Sequence, residues 1–122
     1  MSSLPHGIFP PLVTPFRDEV FDGEAYTANI ESLNGTRLAG YVVLGSNGES
    51  VYLAADEAVR VIEAAAAARA PEKALIVGTG RESTRATIEA TSRAAAAGAD
   101  AALVVPPSYY SCLLYTSPSP RD

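Results

Sequence analysis

The strongest constraint on this chain's fold is a set of four short apolar runs at nearly equal intervals. Residues 7–14 carry Ile8, Phe9, Leu12 and Val13 among prolines, while 41–44, 74–77 and 101–105 are uninterrupted apolar stretches. With Val13, Val43, Ile76 and Leu103 as centres, the runs lie 30, 33 and 27 residues apart. Four or five consecutive apolar residues suit a strand buried on both faces, an environment typical of parallel sheets. Between the runs the period changes. Tyr26, Ile30 and Leu33 recur at spacings of four and three, predicting a helix from about Glu24 to the break at Gly35. Val59, Ile62 and Ala66 predict a second helix over 53–70, ended by Pro71. Ser83 or Thr84 can cap a third, alanine-rich helix that runs to Ala97 and closes on Gly98 as its left-handed C′ residue. The stretch 17–23 reads as a polar turn. Strands alternating with helices in this way imply right-handed crossovers and a helix-covered parallel sheet, either an open doubly wound sheet or a (β/α)8 barrel.

Size narrows the choice. At 122 residues the chain makes at most one domain. A (β/α)8 barrel takes about 250 residues, so three βα units plus a fourth strand amount to about half of one. The expected domain is 1–110, the N-terminal half of a TIM barrel. Residues 111–122 show no helical period where a fourth helix would start, and Pro118 and Pro120 would break one. They read as a non-native or disordered tail.

Fourteen acids against nine bases give a charge of −5, with the bases scattered singly, which argues against a nucleic-acid partner. One cysteine, Cys112, and one histidine, His6, exclude a disulfide framework and a Cys/His metal cluster. The N-terminus has no signal-peptide pattern and no apolar stretch approaches the ~20 residues of a membrane span. The expected location is the cytoplasm.

Polar residues gather just after the strand ends, the face on which both α/β folds build their sites: Thr14, Ser46, Asn47, Thr79, Ser108 and Tyr109. Neither the glycines at 45 and 48 nor those at 78 and 80 fit a dinucleotide or P-loop pattern, which favours the barrel. In Gly45-Ser46-Asn47-Gly48-Glu49 the glycines allow close backbone approach, and the Ser46 hydroxyl, Asn47 amide and neighbouring N–H groups form a donor-rich nest suited to a carboxylate. The same residues also make an ordinary turn. Tyr109 and Tyr110 place two phenols at the mouth of strand four, where one could relay protons with Ser46, although paired tyrosines also serve packing. Thr14 looks structural, and Thr79 is a candidate polar lining residue.

Four segments in order, Gly45-Ser-Asn-Gly-Glu49, Gly80-Arg-Glu-Ser-Thr84, Gly98-Ala-Asp100 and Val104-Val-Pro-Pro-Ser-Tyr-Tyr110, resemble the dihydrodipicolinate synthase and N-acetylneuraminate lyase family of (β/α)8 class I aldolases. In detail they look more like its 4-hydroxy-2-oxoglutarate aldolase branch than its lysine-biosynthetic one. The resemblance implies a carbon–carbon lyase acting on pyruvate or a related 2-oxo acid, with no metal and no organic cofactor. By it, Ser46 and Asn47 bind the carboxylate, Ser46 and Tyr109 are the catalytic proton relay, and Gly45, Gly48 and Glu49 support the loop. Tyr109, with Tyr110 as the fallback, matches the relay tyrosine that members supply across a dimer contact, so a homo-oligomer, dimer or tetramer, is implied for the full-length enzyme.

Two departures follow. The family's imine-forming lysine, which ends strand six, has no counterpart: the single lysine, Lys73, precedes strand three at the structural face and reads as a solvated surface residue. The chain alone is therefore expected to be inactive. Ala54 stands where members often carry a capping Ser or Thr, a loss of about 1 kcal/mol. Two rival readings are a non-catalytic small-ligand or phosphate-binding module, and a half-barrel that assembles in pairs because its strand edges are open.

Overall fold

The structure, a computed structural model, describes residues 5–109. Tyr110 and the expected tail over 111–122 lie outside the described residues. The elements run in the order β1 (Phe16–Arg17), β2 (Val20–Phe21), α1 (Gly23–Asn34), β3 (Gly40–Val43), a 3₁₀ turn (Ser50–Tyr52), α2 (Ala55–Ala68), β4 (Ala74–Gly78), α3 (Thr84–Ala96) and β5 (Ala101–Leu103).

The parallel sheet is ordered β3-β4-β5, with Val42 opposite Ile76 and Ile76 opposite Ala101. The first predicted strand joins its free side through a parallel bridge between Pro11 and Val42, in which Leu12 donates to the Val42 carbonyl and Val42 to that of Pro10. It stays a bridge because Pro10 and Pro11 have no N–H to extend the ladder. Spatial order therefore follows chain order. A doubly wound sheet reverses order at a switch point, and no reversal occurs among these strands, so the sheet is the N-terminal part of a barrel wall.

Burial follows the same geometry. Tyr41, Val43, Leu75 and Val77 are fully buried and meet Tyr26, Ile30, Ala58, Val61, Ile62, Ala65 and Ala94 of the helices. The alternate residues Val42, Ile76 and Ala101, which share the other face by register, are only half-buried, and Ala102, beside Val77 on the helix-facing row, is exposed. The expectation of strands buried on both faces thus holds for one face among the described residues. Two glycines permit the tight sheet: a Cβ on Gly40 would collide with the Ala74 backbone, and one on Gly78 with the Leu44 carbonyl.

Three local expectations are corrected. The polar turn over 17–23 is a small antiparallel hairpin, β1–β2, whose turn residues Asp18 and Glu19 take φ of 50° and 64° as a two-residue primed turn requires. Phe21 N–H donates to Glu57 Oε1 at 2.9 Å, tying this hairpin to α2. The second helix starts later than residue 53, after the 3₁₀ turn, and buries Ala58, Val61, Ile62 and Ala65 rather than a face centred on Val59 and Ala66. Val61 and Ile62 share that face with Ala58 and Ala65, so the buried stripe lies one position away from Val59 and Ala66. Lys73, expected to be solvated, is 5% exposed, with Nζ donating at 2.7 Å to the carbonyls of both Thr36 and Leu38.

The helix ends follow the sequence. Asp22 caps α1 by accepting from Ala25 N–H at 3.0 Å, and Ser83 caps α3 by accepting from Ala86 N–H at 3.1 Å. Ala54 at the α2 N-cap makes no side-chain cap bond. Gly98, φ 108°, closes α3 in a Schellman motif, with Ala99 N–H on the Ala94 carbonyl and Gly98 N–H on that of Ala95. Among the described residues no helix is long and apolar enough to cross a membrane.

Candidate functional site

At the C-terminal end of β3 the chain leaves the sheet through Leu44, φ 56°, and turns over residues 45–49. Glu49, φ 53°, closes the turn. Two non-glycine residues in the left-handed region bracket this loop, each at a cost of about 1 kcal/mol, and such outliers concentrate at functional sites. Gly48 N–H bonds to the Gly45 carbonyl and Glu49 N–H to that of Ser46, both at 3.1 Å. The turn is pinned from below by Thr14, 4% exposed, whose hydroxyl donates to the Gly48 carbonyl at 2.7 Å.

Gly48 fits a tight space, since a Cβ there would lie 3.2 Å from the Leu12 carbonyl oxygen and 3.2 Å from Leu44 N. Gly45 is not under that pressure: its Cβ would meet only Val42 Cγ1, at 3.9 Å. Glu49 supports the loop through its backbone, donating to Ser46 and accepting from Tyr52 N–H at 3.0 Å.

Ser46 and Asn47 are exposed, and neither their side chains nor their backbone N–H groups have an acceptor or partner among the described residues. They present hydroxyl, carboxamide and two amide donors on a buried, rigid base. Unengaged donors of this kind can take a polar or anionic ligand.

Ser46 lines a cleft of about 470 Å³ between the β3, β4 and β5 ends. Its other walls include Ser50, Tyr52, Gly80, Arg81 and Ser108. Asn47 and Tyr109 are not among the lining residues. Tyr109 is 78% exposed and follows the lining residue Ser108 directly. Thr79 is corrected: it is buried on the helix side, where its Oγ1 takes a 2.8 Å hydrogen bond from Thr91 Oγ1, and it does not line this cleft. Ser108 was among the polar residues named after the strand ends, whereas Ser50 and Arg81 went unselected in the sequence. Their position just beyond strand ends was the available signal, but it is shared by every residue of these loops.

The opposite end of the sheet holds a different polar set. Asn34 Oδ1 accepts from the Tyr41 hydroxyl and from Ala70 N–H, both at 2.9 Å, while its Nδ2 donates to the Ala68 carbonyl at 2.8 Å. Arg69 forms an ion pair with Asp100 and donates to the Lys73 and Gly98 carbonyls. Burial works to raise the Asp100 pKa, but the Arg69 hydrogen bond, the Leu75 N–H at 2.8 Å and the Arg69 charge outweigh it and hold the carboxyl below its usual range.

Known proteins match this pattern of strands and loops. The sequence model of the dihydrodipicolinate synthetase family covers residues 4–114. An L-threo-3-deoxy-hexylosonate aldolase from Hypocrea jecorina is 45% identical over 114 residues, which cover 88% of this chain and 36% of that protein. A 4-hydroxy-tetrahydrodipicolinate synthase from Methanothrix thermoacetophila is 38% identical over 104 residues, 84% of this chain and 35% of that protein. Among solved structures, YagE from E. coli K12, a prophage protein of the dihydrodipicolinic acid synthase family in complex with pyruvate, superposes with a TM-score of 0.83 at 32% identity, covering 90% of this chain and 37% of that one. The chain spans about a third of the length of the curated relatives it matches. With the strand order, the bracketed Ser46–Asn47 loop and these matches in agreement, the chain belongs to the dihydrodipicolinate synthetase family.

Proposed function

We propose that this chain is the 2-oxo-acid-binding portion, over residues 1–110, of a pyruvate-dependent Schiff-base lyase. The Ser46 hydroxyl and the Asn47 amide hold the carboxylate of pyruvate or a close relative. The observation that carries this reading is the pair of unpartnered, exposed donors on a loop locked by Thr14 and Gly48 at the C-terminal end of a parallel sheet. Anchoring the carboxylate there directs the carbonyl carbon towards the barrel axis, where the family lysine forms the imine. In cleavage the protonated imine accepts the electron pair of the carbon–carbon bond being broken, and in the reverse direction it takes up the pair left when the adjacent carbon loses a proton, so that the enamine supplies that pair to the new bond. Ser46 and Tyr109 carry protons to and from the reacting oxygen, and exposure of Tyr109 suits delivery across a contact between copies in a homo-oligomer.

The chain itself does not turn over. Lys73 sits at the far end of the sheet with its ammonium on two carbonyls, so it supplies no nucleophile to the cleft. Cytoplasmic location, the absence of any cofactor and the 4-hydroxy-2-oxoglutarate aldolase branch belong to the same proposal. The phosphate-module reading is weaker, because Gly78 and Gly80 are glycines for backbone contacts with Leu44 and Val105 rather than for a ligand. Calorimetry with pyruvate tests the proposal. Ser46→Ala and Asn47→Ala each weaken binding about tenfold, or about 1.4 kcal/mol, and borohydride leaves no pyruvate adduct on this chain. Unchanged affinity in both variants, or an adduct on Lys73, contradicts it.

A further inference from the structure

We infer that Glu82 is a positioning residue: its carboxylate clamps the tyrosine-bearing loop that follows β5 and thereby fixes where the Tyr109 phenol stands beside the cleft. The inference rests on the relay role proposed for Tyr109. Ser108 N–H donates to Glu82 Oε2 at 3.2 Å, with Oε1 at 3.4 Å, and Tyr109 N–H donates to Oε2 at 3.2 Å. One carboxylate therefore takes two consecutive backbone donors. The loop has few other donors to hold it, because Pro106 and Pro107 have no N–H.

The backbone on either side of Glu82 is anchored. The Thr87 hydroxyl of α3 accepts from Arg81 N–H at 3.0 Å and lies 3.1 Å from the Ser83 carbonyl, and the Ser83 hydroxyl caps α3. The two loops also meet backbone to backbone. A Cβ on Gly80 would stand 2.9 Å from Val105 N, so only glycine lets the β4 loop reach this close to the segment after β5 that carries Ser108 and Tyr109. Steric contact at Gly80 and Val105 sets the distance between the loops, and the Glu82 clamp sets the orientation of the residues beyond it. The charge on Glu82 strengthens both bonds relative to a neutral acceptor.

The test is amide exchange and ¹H–¹⁵N spectroscopy on the 122-residue chain. In the unaltered protein the Ser108 and Tyr109 amides are shifted downfield and protected. Glu82→Ala speeds their exchange about tenfold and moves the Tyr109 ring signals, whereas Glu82→Gln, which keeps an acceptor oxygen, retains part of the protection. The amides of Arg81 and Thr87 stay as they were, which separates the clamp from general loosening. Full exposure of both amides in the unaltered chain overturns the inference, as does a Glu82→Ala chain in which they do not change. Should Glu82→Ala fail to fold, the unaltered chain and Glu82→Gln still decide it. Neither readout involves pyruvate, so loss of Ser46-dependent binding and loss of the clamp are separate failures.

Discussion

The two ends of the parallel sheet use their polar side chains differently. At the N-terminal end, Asn34, Arg69, Lys73 and Asp100 point their donors and acceptors at backbone groups of neighbouring units. At the C-terminal end, Ser46 and Asn47 leave theirs unpaired among the described residues, while Thr14 beneath them and Glu82 across the cleft are committed to backbone groups. Satisfied polar groups hold the βα units in register; unsatisfied, exposed ones are available to a ligand. The difference teaches that side-chain type alone does not mark a site, and that whether the polar atoms are already engaged does.

Substitutions at the N-terminal end give the largest effect on stability. Lys73→Ala removes two charge-assisted bonds from a buried position and destabilises by about 3 kcal/mol, read as a lower urea midpoint at an unchanged slope. Asn34→Ala, which loses three bonds, falls in the same range. Ser46→Ala, by contrast, shifts stability by no more than about 0.5 kcal/mol while costing pyruvate affinity. Equal stability losses at both ends would break the distinction.

Acid sharpens it further. Asp100 is held below the usual carboxylate range in the folded chain. Its contribution is therefore present above the unfolded value of about 3.9 and is lost as pH falls through the lower folded value. Melting temperature should drop across that acid window, and Asp100→Asn should flatten the drop. A small gain, rather than a loss, is expected at the C-terminal end. Ala54→Ser supplies the missing α2 cap and raises stability by about 0.5–1 kcal/mol, measured by thermal melts, with no change in pyruvate binding.

Most of the scaffold was legible in the sequence because parallel strands are written as continuous apolar runs and helices as period changes. The cap residues Asp22 and Ser83 and the Schellman glycine Gly98 occupy the ends that the local chemistry demands. Illegible features depend on contacts distant in sequence. Lys73 looks like any surface lysine until the carbonyls of Thr36 and Leu38 are brought beneath it. The β1–β2 hairpin has two-residue strands and an Asp18-Glu19 turn in place of the usual Asn-Gly signal. In the site, Ser46 and Asn47 were marked by glycines on both sides. Glu82 was not, because its partners, the amides of Ser108 and Tyr109, lie across a loop contact that no local pattern encodes.

The most direct test of the central claim is a pyruvate titration of the ¹⁵N-labelled chain followed residue by residue. The account predicts saturable shifts at residues 45–49, extending to Ser108 and Tyr109, with Asn34, Lys73, Leu75 and Asp100 unmoved. Shifts at the N-terminal end of the sheet, or a titration unaltered by Ser46→Ala, would contradict it.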